Sequence, residues 1–243
     1  MIPNPIRKAL SSMRRSGART LLMGGQACVL YGAAEFSRDL DLCVLAEPEN
    51  LEKIAAALSE LLAENIAVPS FDRHQLDRGH SVHFRCRAPE VAGLRIDLMS
   101  RMRGVDPFEA LWNRRTTIHA GEGEEIELLS LPDLVQAKKT QRDKDWPMIR
   151  RLLEQTWFRG EAESPRQIDF LLSELRTPEL LVAACSRYPD DAARHSRPAV
   201  QAALKGDPAA TTQRLLEEEA AERSKDAAYW AGLRSWRHSN AWL

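Results

Sequence analysis

Two adjacent glycines, Gly24 and Gly25, follow the apolar run Leu21-Leu22-Met23, and farther along the chain Asp39 and Asp41 flank Leu40. A third acid, Asp97, sits alone among the apolar residues Ile96, Leu98 and Met99. In an extended segment alternate side chains share a face, so Asp39 and Asp41 stand together with alpha carbons about 6.5–7 Å apart, while Leu40 and Leu42 turn into the core. Carboxylates so placed repel unless a cation lies between them, and magnesium takes one or two carboxylates together with phosphate oxygens and water. Two such ions about 3.5–4 Å apart clamp the attacking and leaving oxygens of an in-line phosphoryl displacement. Asp97 supplies the third carboxylate for that chemistry if its strand pairs beside Asp39 and Asp41. Having no side chains, Gly24 and Gly25 allow backbone N–H groups to approach a triphosphate. A lone D-x-D is usually a solvated strand edge and a lone G-G a turn; the ordered set carries the signal.

The elements that must position these residues follow from apolar spacing. Residues 5–15 read as a helix stopped by Ser16-Gly17, ahead of a short strand Thr20–Met23. Gly24-Gly25 turns the chain into a short buried helix over Gln26–Tyr31, which Gly32 ends, and Leu40–Leu45 follows as an inner strand. Pro48 opens a covering helix on which Leu51, Ile54, Ala55, Leu58, Leu61 and Leu62 form a stripe. Runs 81–87 and 93–98 are strands joined around Pro89, with Leu94, Ile96 and Leu98 on one face and Arg95 and Asp97 on the other. A short helix over Pro107–Asn113 precedes strands Thr116–His119 and Glu125–Leu129 around the turn AGEGE. Helices follow from Pro132, one of them striped by Trp146, Ile149, Leu152, Leu153 and Trp157. The stretch 158–165 reads as a linker. Beyond it, residues 166–225 are helices separated by Pro178, Pro189, Pro198 and Pro208.

The set Met23-Gly24-Gly25, Asp39-Leu40-Asp41 and Asp97 resembles the nucleotidyltransferase superfamily related to DNA polymerase β. That family's pattern is an apolar residue, G-G or G-S, about ten to thirteen residues, D-h-D with h apolar, and a later acidic strand. The stretch LLSLPDLVQAKKTQRDKDWPMIRRLLE at 128–154 is similar to a segment of bacterial nucleotidyltransferases of the abortive-infection toxin type, where an apolar helix carries a lysine and leads to an arginine and an R-x-K-D-like turn. Lys138, Arg142, Lys144 and Asp145 occupy those places. The resemblance covers about residues 18–157. It implies an α+β fold in two parts: a mixed β-sheet of nucleotidyltransferase type flanked by helices over 1–158, and an α-helical C-terminal region over 166–243.

The implied reaction is transfer of a nucleoside monophosphate from a nucleoside triphosphate to a hydroxyl, with release of pyrophosphate. Asp39, Asp41 and Asp97 would be the catalytic metal ligands for two magnesium ions. Gly24, Gly25 and the Ser37 hydroxyl would contact the phosphates. Lys138 and Arg142, one helical turn apart, would offset negative charge. The acceptor would be a tRNA, a protein or a small molecule, and the resemblance to toxins implies a cognate antitoxin as a partner. Glu35 stands where relatives carry arginine, which motivates a second reading: a nucleotide-binding or toxin–antitoxin interaction module without turnover. A third is a nucleic-acid binder using the basic segment 138–151. A solvated basic face is the bland alternative for Lys138, Lys139, Arg142 and Lys144.

Composition limits the partners. The chain has 243 residues, with 34 basic against 35 acidic side chains, so no overall field favours nucleic acid or an anionic membrane. No apolar run approaches bilayer length, and the start MIPNPIRKAL lacks the core of a signal peptide, so the expected location is the cytoplasm, with no membrane partner. Cys28, Cys43, Cys86 and Cys185 are scattered without a C-x-x-C pair and read as buried thiols. His74, His80 and His83 are expected at the surface, Asp106 and Glu109 as helix caps, and Trp230, Trp236 and Trp242 as docking residues of a terminal amphipathic helix.

Overall fold

The computed structural model describes residues 3–121, 124–160 and 164–240. The chain divides into two compact units: Met1–Leu30, Ala34–Ala137 and Tyr229–Leu243 form the first, and Tyr31–Ala33 with Lys138–Ala228 the second. The first is α+β and the second helical.

In the first unit, helix α1 (Asn4–Arg15) enters through Pro3 and ends where Gly17 takes φ +73°, a left-handed conformation that glycine adopts without strain. The strands are β1 (Thr20–Met23), β2 (Leu40–Val44), β3 (Ala63–Asn65), β4 (Val82–Cys86), β5 (Arg95–Met99), β6 (Thr116–Gly121) and β7 (Glu124–Leu128). They build one sheet in the order β3-β4-β5-β2-β1-β7-β6. Two of its pairings are parallel, β2 with β5 and β1 with β7, and the other four antiparallel, so the sheet is mixed. Its central strands are short apolar runs: Leu21, Leu22, Leu40, Leu42, Cys43, Ile96 and Leu98 have no solvent exposure. Helices α2 (Gly24–Leu30), α3 (Pro48–Glu60), α4 (Arg73–Asp77), α5 (Phe108–Asn113) and α6 (Leu131–Ala137) complete the unit with the end of the last helix.

Several local expectations change: Gly24 and Gly25 do not turn the chain ahead of the helix but form its first two residues. The α3 stripe does not reach Leu62, which is exposed at φ +48° where the chain leaves the helix, and Ala55 faces water while Ala57 is buried. The tripeptide Ala63–Asn65 is a strand, too short and polar to announce itself, and is recruited by pairing with Phe84, Arg85 and Cys86. Asp106 and Glu109 do not cap α5, whose N-cap is Pro107. They pair instead with Arg114 and Arg19, each at 2.7 Å. The AGEGE turn at residues 122–123, part of the expected linker at 161–163, and Trp242 lie outside the described residues.

The second unit holds α7 (Asp145–Arg159), α8 (Pro165–Glu174), α9 (Pro178–Arg187), α10 (Pro189–Arg194), α11 (Pro198–Leu204) and most of α12 (Pro208–Asn240). Helices α8 to α12 each begin at proline, which loses nothing at the first helical position because the N–H it lacks would be unpaired there. Buried Arg197 stitches them together, donating to the carbonyls of Leu172 at 2.7 Å and Leu175 at 3.0 Å and to Glu218 at 2.8 Å. All four cysteines are buried thiols, as the sequence predicts. Among the described residues no helix is long and apolar enough to cross a membrane.

Candidate active site

The glycine pair and the aspartates converge within the first unit. β1 runs antiparallel to β2 with Met23 opposite Asp41, and β2 runs parallel to β5 with Asp41 opposite Asp97. β5 in turn sets Asp97 opposite His83 of β4. One row across four strands therefore reads Met23, Asp41, Asp97, His83. Register partners on neighbouring strands lie about 4.8 Å apart and share a face, so Asp41 and Asp97 stand side by side. Asp39 lies one residue ahead of β2, exposed at the rim.

Gly24 follows Met23 directly, at φ +68°. A side chain there would overlap the Asp41 carboxylate, with Asp41 Cγ and Cβ 2.5 and 2.6 Å from the added carbon. At Gly25 the same carbon would lie 2.7 Å from Ser37 Oγ. The two glycines thus lie against the two side chains that the D-x-D approach places near them. Ser37 donates to the Asp39 carbonyl at 3.3 Å, which holds the loop where it enters β2. Gln26, next in α2, has no solvent exposure, and neither its amide nitrogen nor its oxygen has a hydrogen-bond partner among the described residues.

Asp97 is already engaged. Arg95, two residues earlier and so on the same face of β5, donates through Nε to Asp97 Oδ1 at 2.8 Å. His83 Nδ1 lies 2.9 Å from the same oxygen and 3.1 Å from Arg95 Nη2. A ring nitrogen carries either a proton or a lone pair, so Nδ1 donates to Asp97 or accepts from Arg95, one at a time. Burial by itself pushes the Asp97 carboxyl up, but the hydrogen bonds from His83 and Arg95, and their charges, more than offset this and hold it below the usual carboxylate range. Arg95 is raised above its ordinary value, chiefly by its bond to Asp97; the negative charges of Asp97, Asp39 and Asp41 add to this against the burial cost. The guanidinium is bonded to Asp97, and Asp39 and Asp41 act on it through charge alone.

Neither His80 nor His83 is a surface histidine. His83 is drawn in by its register with Asp97, and His80, with no exposure, stacks on Trp236 with centroids 4.5 Å apart. Arg78 also lies over the Trp236 ring, 5.4 Å from its centre. Trp236 is therefore a docking residue within the first unit.

Lys138 and Arg142 belong to the second unit. Helix α6 ends at Ala137, so they are not a helical turn apart on one face. The chain between them folds around Asp145, which accepts from Lys138 Nζ at 3.3 Å, Thr140 Oγ1 at 2.6 Å and Arg142 Nε at 2.7 Å. Trp146 Nε1 donates to the Thr140 carbonyl at 2.8 Å, closing the turn. Lys139 is buried as well and binds Glu174 at 2.6 Å, so the solvated basic face holds for Arg142 and Lys144, which are exposed, but not for Lys138 and Lys139.

Arg95 and His83 are the site residues that sequence spacing did not single out. The i to i+2 relation of Arg95 to Asp97 was visible; the pairing of β4 with β5 that delivers His83 was not. Among the described residues no group of three or more His, Cys, Asp or Glu side chains is gathered closely enough to hold a metal ion. No protein-family model matches the chain, and no curated protein matches its sequence.

Proposed function

We propose that the first unit is a nucleotidyltransferase centre that takes a nucleoside triphosphate and transfers its nucleoside monophosphate to an acceptor hydroxyl, releasing pyrophosphate. The observation that carries this reading is the stacking of the side-chain-free Gly24 and Gly25 against Asp41 and Ser37, with Asp41 in register beside Asp97. That arrangement seats the start of α2 immediately beside a carboxylate pair.

The oxygen donors of Asp39 and Asp41 suit one hard divalent cation, and magnesium is the fitting choice because it shares its shell with phosphate oxygens and water. When bound, it would neutralise triphosphate charge and make phosphorus more electrophilic. Gly24 and Gly25 admit the phosphates, the Ser37 hydroxyl turns from the Asp39 carbonyl to a phosphate oxygen, and Arg95 offsets negative charge at the rim. Catalysis of this kind is mostly positioning and charge compensation. Lys138 and Arg142 are bound to Asp145, so their charges are already partly answered. The acceptor would be a tRNA, a protein or a small molecule, since the fold does not choose among them.

Calorimetry with each of the four triphosphates and magnesium tests this, comparing the wild type with the Asp39→Asn, Asp41→Asn double variant. Binding that needs both magnesium and the aspartates is expected, followed by transfer of label from α-labelled triphosphate to cellular RNA or protein. A folded wild type that binds none of the four would overturn the reading.

A further inference from the structure

One oxygen of the third carboxylate is already engaged. Asp97 Oδ1 accepts from Arg95 Nε at 2.8 Å and faces His83 Nδ1 at 2.9 Å, while Arg95 Nη2 and His83 Nδ1 are 3.1 Å apart. The Asp97 side chain is only 15% exposed, so its surroundings are these groups more than water. A divalent ion sharing Asp97 with Asp39 and Asp41 would have to sit beside a guanidinium that cannot lose its proton. Like charges at such range repel strongly where water is partly excluded. The residues fit one ion at Asp39 and Asp41 and do not fit a second at Asp97.

We propose that Arg95 is the fixed internal cation of this centre, holding the place beside Asp97 that a second divalent ion would need, so that the site takes one metal ion per nucleotide. The proposal rests on the triphosphate reading above. The backbone favours it: Arg95 and Asp97 share a face of β5, Asp97 and Asp41 are register partners, and each extra carboxylate near the guanidinium stabilises its charge. A planar guanidinium suits the role better than lysine because two of its nitrogens reach different partners, here Nε to Asp97 and Nη2 to His83. Arg95 is thus a positioning residue: it sets the charge and orientation of Asp97.

The test counts manganese bound to the full chain by electron paramagnetic resonance, in the presence of a saturating nucleoside triphosphate analogue with a non-hydrolysable α,β bridge. The wild type is expected to hold one ion per bound nucleotide, and Arg95→Met two. Arg95→Lys, which keeps the charge, is expected to return the count to one. Two ions on the wild type, with nucleotide bound, overturn the proposal and leave the triphosphate reading standing. One ion on a folded Arg95→Met chain overturns it as well. A folded wild type that binds neither nucleotide nor manganese overturns both. Should Arg95→Met fail to fold, the wild-type count decides alone, since the proposal requires one.

Discussion

The Asp41 carboxylate lies over Gly24 so closely that a methyl group at residue 24 would overlap it, and Gly24 sits at φ +68°. Gly24→Ala therefore meets two costs, a left-handed backbone that alanine resists and a collision with a side chain on a buried strand. Together these should cost about 2–4 kcal/mol of stability. Gly25 does not have a left-handed backbone, and its side chain would meet the rotatable Ser37 hydroxyl at 2.7 Å and Ser37 Cβ at 3.2 Å, a contact that a small shift relieves. Gly25→Ala should cost less than about 1 kcal/mol. Urea unfolding of the two variants checks the difference; equal losses would mean that the two glycines do not differ as the backbone indicates.

Asp97 links the same row of residues to acid stability. Its folded pKa is depressed below the ordinary 3.8, so the stability it contributes is present above the ordinary value and lost as pH falls through the folded one. Urea unfolding from pH 6 down to pH 2 should show wild type losing more stability below about pH 4 than Asp97→Asn, which has no carboxyl to protonate. Parallel curves for the two proteins would mean that Arg95 and His83 do not hold the carboxyl down.

Much of this was legible in the chain. β1 is an apolar run closed by glycines, β2 and β5 are short runs whose acids alternate with leucine or isoleucine, and the prolines mark α9 to α12 because each fits the first helical position. What stayed hidden depends on pairing rather than on local pattern. His83 joins the site because β4 runs antiparallel to β5, and His80 is buried because Trp236 stacks on it from far along the sequence. Lys138 and Arg142 read as helical neighbours by spacing, but Asp145 offers their charges, together with Thr140, a better arrangement than another helical turn would.

In the helical unit, Arg197 is a buried cation whose pKa is lowered, first by burial, with Glu218 pulling the other way. It also satisfies the Leu172 and Leu175 carbonyls at the end of α8, which have no partner within the helix. Arg197→Ala should cost about 3–5 kcal/mol, since it leaves Glu218 short of a partner and strands the two carbonyls. Arg197→Lys should recover less than half of that, because one ammonium cannot span three acceptors in the guanidinium's planar geometry. Full recovery by lysine would reduce the residue's role to its charge.

Gln26 presents the opposite case. Its amide is fully buried at the second residue after the first glycine, with neither atom hydrogen-bonded among the described residues, and a buried unpaired amide costs about 1–3 kcal/mol. Gln26→Met keeps the volume and removes the unpaired atoms, so the variant should unfold at higher urea concentration, by about 1–2 kcal/mol. A chain that keeps such a cost beside its candidate phosphate-binding glycines is expected to use the amide in the working state, once nucleotide is bound at the start of α2. Triphosphate binding by Gln26→Met should accordingly weaken even as the fold gains stability. A variant less stable than wild type would show that the amide has partners in the resting fold; a more stable variant with unchanged binding would make Gln26 a packing residue only.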